Sequence, residues 1–86
     1  MKRRKLLEER LDEILNVLRE LKCATVSEIS KITGLSTSRI QILLNLLKRR
    51  NLVYTYRVNR HFVWIDKTVH VKDVKEKIME ILRRSW

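Results

Sequence analysis

Residues 29–65 hold seven Lys or Arg side chains, Lys31, Arg39, Lys48, Arg49, Arg50, Arg57 and Arg60, and not one Asp or Glu. All ten acids of the 86-residue chain lie outside that stretch. Cations without carboxylate neighbours in sequence carry a positive field into solvent, and the chemistry this serves is the binding of a polyanion, nucleic acid first among them. The plain alternative is a solvated basic face, since a chain of net charge +10 holds an acid-poor window somewhere by chance. What raises the stretch above chance is that it also contains the one turn-separated helix pair and the one strand pair that the residue pattern predicts.

The bulk composition narrows the classes. Eighty-six residues predict one domain, residues 1–86, near the lower size limit for a single core. With 44% apolar and 35% charged residues the chain is too hydrophobic for a disordered tail and too polar for a membrane protein. No apolar run approaches the roughly 20 residues of a bilayer span, so no membrane partner is expected. Cys23 stands alone, and its spacing from His61 and His70 matches no zinc pattern, so neither a disulfide nor a metal is expected. The lone thiol and the absence of an apolar secretory core predict a cytoplasmic location. One Gly, no Pro and many Lys, Arg and Glu give the composition of proteins from hot environments. The acids fall on helix surfaces or caps, with no Gly-rich phosphate loop and no Ser, His and acid set; no enzyme, cofactor or small-molecule ligand is expected.

The elements that must position the cations follow from periodicity. Leu7, Leu11, Ile14, Leu15, Leu18 and Leu21 recur every three or four residues and predict an amphipathic first helix over residues 5–22, with Leu6 and Val17 widening its apolar stripe. Thr25 with Glu28 forms a T-x-x-E capping box, so a second helix starts near Val26, turns Val26, Ile29 and Ile32 inward, and ends at Gly34. Ser36 caps a third helix from about Thr37, with Ile40, Leu43, Leu44 and Leu47 inward and Asn51 as its left-handed stop. Residues 52–58 and 61–65 are rich in Val, Tyr, Phe, Trp and Ile and predict a hairpin, with Asn59 and Arg60 as a two-residue turn or part of a longer loop. Val71, Val74, Ile78, Ile81 and Leu82 predict a fourth helix over about residues 72–84.

The segment V-S-E-I-S-K-I-T-G-L-S-T-S-R-I-Q-I-L-L, residues 26–44, followed by L-V-Y-T-Y-R-V-N-R-H-F-V-W-I, resembles the winged helix-turn-helix family of DNA-binding proteins over about residues 7–66. Ser30, Gly34 and the apolar Ile29, Leu35, Ile40 and Leu43 carry the likeness, and the hairpin is similar to the family's wing. The resemblance implies a mostly α fold with a three-helix core, a two-stranded wing and a C-terminal helix over residues 67–86. It also implies a double-stranded DNA partner, with the third helix in the major groove.

On that resemblance, 100° per residue turns Ser38, Gln41, Ile42, Asn45 and Arg49 outward as base-contacting residues. The Gln41 and Asn45 amides, one turn apart, suit adenine, and Ile42 suits a thymine methyl unless it is an ordinary exposed rim residue. Ser36, Thr37, Arg39 and Lys48 flank that face and suit phosphates, as do Arg57, Asn59 and Arg60 at the wing tip. Leu46 packs against the wing or a partner. Tyr54, Tyr56, Phe62 and Trp64 read either as stacking platforms for bases or, more simply, as core against the first helix. Leu6 and Val17, with Val74, Ile78, Ile81 and Leu82 of the fourth helix, form the expected homodimer surface, the alternative being that the fourth helix folds back on its own domain. The function expected is transcription regulation by a homodimer on a palindrome; a nonspecific architectural DNA-binding role and a protein-docking module are the rivals.

Overall fold

The computed structural model describes residues 2–58 and 60–84, with residues 2–5 and 58 described by their backbone. Its elements run α1 (Lys2–Leu21), β1 (Cys23–Ala24), α2 (Val26–Thr33), α3 (Thr37–Arg49), β2 (Val53–Val58), β3 (His61–Asp66), a 3₁₀ turn (Val71–Val74) and α4 (Lys75–Arg84). The fold is mostly helical with one small antiparallel sheet.

Local chemistry sets each boundary. Thr25 Oγ1 accepts from the Glu28 amide at 3.2 Å while the Glu28 carboxylate accepts from the Thr25 amide at 3.4 Å, the reciprocal cap predicted for α2. Gly34 closes α2 at φ 78°, where its amide donates to Ser30 O at 2.8 Å. The Ser30 hydroxyl then donates to Leu35 O at 2.6 Å, which ties the turn to the helix it leaves. Ser36 accepts from the Arg39 amide at 3.2 Å and opens α3. At the far end of α3, Asn51 adopts φ 61°; its amide donates to Lys48 O and the Leu52 amide to Leu47 O, both at 3.0 Å. That pair of bonds is a Schellman motif, and it fixes the angle at which the chain leaves α3 for β2.

The sheet has three strands, not the two expected: β1 adds to the free edge of the hairpin in the order β1-β3-β2, pairing Cys23 with Ile65 and Ala24 with Trp64. Lys22 at φ 74° ends α1 and turns the chain into this short strand. Alternation along β3 sends Trp64 to one face and Val63 and Ile65 to the other. The first face, with Ala24 and Val53, closes a core with Leu11, Ile14, Leu15 and Leu18 of α1, Ile29 of α2, and Ile40, Leu43, Leu44 and Leu47 of α3. The second face, with Cys23, is covered by Val74 and Ile78. Burial on both faces explains why H-F-V-W-I-D reads as a nearly continuous apolar run.

Three expectations are corrected by this packing. The fourth helix folds back: Val74 and Ile78 are buried inside the chain and so are not the free surface expected for a second copy, while Ile81 and Leu82 pack half-buried beside them. Ile32 is exposed because α2 is short and rolls about Ile29, leaving that side to solvent. Asp66 is no surface acid: it is the last residue of β3, and 1% of it is exposed.

Two ion contacts lock the helices to the rest. The Lys77 ammonium donates to Leu21 O at 2.9 Å and Cys23 O at 2.5 Å, holding α4 against the end of α1. Arg50 donates both terminal nitrogens to the two Glu8 oxygens at 3.2 Å, joining the end of α3 to α1. Glu8 is held below the usual carboxylate range by that guanidinium. No helix among the described residues is long and apolar enough to cross a membrane.

Candidate nucleic-acid interface

Four buried residues at spacings of three and four, Ile40, Leu43, Leu44 and Leu47, anchor one side of α3 and dictate what the other side presents. Ser36, Thr37, Ser38, Arg39, Gln41, Ile42, Asn45, Lys48 and Arg49 are all exposed. Ile42 is 62% exposed, unusual for a large aliphatic residue and beyond any use in this chain's own core.

The exposed side divides into two edges. Gln41, Asn45 and Lys48 line a groove of about 190 Å³ whose far wall is the sheet residues Thr55, Phe62 and Trp64, with Val26 of α2 at one end. Ser38, Ile42 and Arg49 are exposed but do not line it. Register places the wall: Thr55 pairs with Trp64 and Arg57 with Phe62, so these four share the sheet face turned toward α3. Phe62 is 53% exposed rather than core, and Arg57 lies over its ring at 5.6 Å from the centroid. The reading of Phe62 as packing against α1 is thereby corrected; Trp64 on the same face does pack into that core. Trp64 Nε1 is buried and has no acceptor among the described residues, so the wall carries an unmatched donor.

Among the described residues, no carboxylate lies within ion-pair distance of Arg39, Lys48, Arg49 or Arg60. Arg50, by contrast, is spoken for by Glu8. Asn59 falls outside the described residues; Arg60 is exposed at the hairpin end, beyond the closing pair of Val58 and His61.

Chemically the groove offers an ammonium and two amides opposite a wall of two aromatic rings and the Thr55 hydroxyl. Such a set hydrogen-bonds phosphate and base edges while the ring surface packs against a sugar or base. No cluster of three metal-ligating side chains occurs among the described residues. Cys23 is buried behind α4, and burial pushes its thiol up, against the opposing pull of Lys77; a buried thiol with a raised pKa is a poor nucleophile. Thr55 is a lining residue that the sequence did not single out, whereas Phe62 and Trp64 stood there as possible stacking platforms. The signal was present in the hairpin register, which assigns Arg57, Phe62, Thr55 and Trp64 to one face once the turn length is fixed.

No protein-family model matches the chain, and no curated protein matches it in sequence.

Proposed function

We propose that this chain is a winged helix-turn-helix protein that binds double-stranded DNA, with α3 as the recognition helix and the β2–β3 hairpin as the wing, and regulates transcription as a homodimer without a cofactor. One observation carries the reading: Gln41, Asn45 and Lys48 of α3 face Thr55 and Phe62 of the hairpin across an open groove, and among the described residues no carboxylate lies within ion-pair distance of Arg39, Lys48, Arg49 or Arg60. A helix seated in the major groove beside a wing straddles one phosphodiester strand, and a groove between the two elements is where that strand runs. Gln41 and Asn45 suit bidentate bonds to adenine, Ile42 a thymine methyl and Arg49 a base edge, while Arg39, Lys48 and Arg60 suit phosphates.

Selection of bound duplexes from a random pool tests the class. An enriched palindrome with half-sites about 34 Å apart supports a regulator; binding without enrichment points to an architectural protein, and no binding to a docking module. For the site itself, a Gln41→Ala, Asn45→Ala, Arg49→Ala triple variant loses discrimination among sequences, at about 1–3 kcal/mol per bidentate contact removed. Unaltered binding of that variant in anisotropy titrations removes the assignment of α3.

A further inference from the structure

Val74 and Ile78 are taken up inside the chain, which removes them from the surface a second copy could meet, and α1 offers another. One side of α1 is open. Leu6, Arg10, Glu13 and Val17 follow one another at spacings of four, three and four, a continuous stripe on a helix. At 100° per residue its centre lies about 120° round α1 from the core stripe of Leu11, Ile14, Leu15 and Leu18. Leu6 is 51% exposed, and the shallow depression beside it is lined by Leu6, Glu9, Arg10, Asp12, Glu13 and Asn16, all from α1, so among the described residues no other element covers it; Val17, at the far end of the stripe, is half-buried and also packs against the core. Within the monomer Arg10 and Glu13 bridge at 3.0 Å with both side chains about two-fifths exposed, 40% and 42%, leaving each free to take another partner.

The order of these residue types is the informative part. Read from either end, the stripe runs apolar, charged, charged, apolar, with the charges opposite in sign. Leu6 and Val17 are equidistant from a point between Leu11 and Asp12, and so are Arg10 and Glu13. Laid antiparallel on a copy of itself about a two-fold axis through that point, the stripe places Leu6 against Val17 and Arg10 against Glu13, twice over. A parallel arrangement would put Arg10 on Arg10 and Glu13 on Glu13. In sequence the series extends with the same spacing to Arg3 and Glu20, again one cation and one acid about the same centre.

We infer that the chain dimerises through α1, antiparallel and two-fold symmetric, with its partner a second copy of this chain and Leu6, Arg10, Glu13 and Val17 as the contact. The inference rests on the homodimer part of the proposed function and not on DNA binding. It replaces α4 with α1 as the assembly surface.

Charge exchange and cross-linking test it without DNA. The expected result of sedimentation equilibrium on the native chain is a dimer. Arg10→Glu and Glu13→Arg each weaken it about tenfold or more at low salt, because two attractive pairs become two repulsive ones. An equimolar mixture of the R10E and E13R chains forms a heterodimer within about threefold of native affinity, since every facing pair is again opposite in sign. An L6C/V17C double variant forms a covalent dimer on mild oxidation, whereas L6C alone and V17C alone do not. Positions 6 and 17 of one helix are about 16 Å apart and cannot bridge within a chain. A monomer at every concentration, a mixture no tighter than its components, or cross-linking of L6C alone overturns the inference. A chain that passes these tests and ignores DNA refutes only the regulator reading; one that binds DNA yet stays monomeric refutes the interface and the homodimer with its palindrome, and leaves DNA binding through α3 standing.

Discussion

Asp66 ends β3 as a buried carboxylate and is held there by neighbours rather than by solvent. Its Oδ2 accepts from the Thr68 amide at 3.1 Å and from the Thr68 hydroxyl, and Arg19 Nε approaches Oδ1 at 3.5 Å. Burial alone pushes its pKa up, but the Thr68 hydrogen bonds and the Arg19 charge outweigh burial and leave it below the ordinary value. A depressed folded pKa means that the ionised form is favoured by folding, so the contribution is complete above the unfolded value of about 3.9 and is lost as pH falls through the folded one. Asp66→Asn should therefore cost about 1.5–3 kcal/mol at neutral pH, as expected for hydrogen bonds to a charged acceptor. The gap between variant and native chain should shrink below about pH 4. Urea titrations at several pH values measure it, and a gap that stays constant into strong acid would show that the charge of Asp66 contributes nothing. Sequence offered little warning of this residue, because an acid ending an apolar run reads as the start of a loop; the Thr68 hydrogen bonds, with the tertiary approach of Arg19 from α1, make burial tolerable.

At the scale of elements, caps were legible and pairings were not. The Thr25 box, Gly34, Ser36 and Asn51 each act through bonds within a few residues of themselves, so their types and spacing suffice to place helix ends. Gly34 is required for its backbone alone: a Cβ there would meet no atom within 4 Å, yet φ is 78°. Gly34→Ala should cost about 1–2 kcal/mol by the left-handed penalty, with no packing contribution. Loss of about that size in thermal unfolding is the expected result, and a cost well above it would mean that the turn has also moved. β1 escaped sequence reading because Cys23 and Ala24 are too few for alternation to register and exist as a strand only where β3 offers an edge. The same limit hid the destination of α4, whose apolar stripe fits a partner or its own sheet equally well until Val63 and Ile65 are known to be uncovered. That packing gives a direct readout. Ile78→Ala should cost about 2–5 kcal/mol and speed the labelling of Cys23 by a thiol reagent, because Ile78 and Val74 are part of the lid over that buried sulfur. Unchanged labelling would mean that α4 is not what shields it.

For the whole molecule the question is which of the seven cations in residues 29–65 take part in a common field. Five of the ten acids sit on α1, and three more lie between Asp73 and Glu80, so the negative charge is drawn to the elements flanking the core while α3 and the hairpin are left positive. Sequence alone could not sort the members of this stretch, since Lys48, Arg49 and Arg50 are adjacent and read alike. The fold separates them: Arg50 turns back to grip Glu8 of α1, whereas Lys48 lines the groove and Arg49 stands exposed with no carboxylate near it among the described residues. On the proposed reading, each phosphate-bound cation releases condensed counterions, so the slope of log affinity against log salt falls by about one for each such residue removed. Lys48→Ala and Arg60→Ala should each flatten the slope by that amount and weaken binding to all duplexes alike. Arg50→Ala should leave the slope unchanged and lower thermal stability slightly, since it removes a solvent-exposed pair of modest worth. Anisotropy titrations between about 50 and 200 mM salt distinguish the three. If Arg50 flattened the slope as much as Lys48, the field would be set by proximity in sequence and not by the partners the fold assigns.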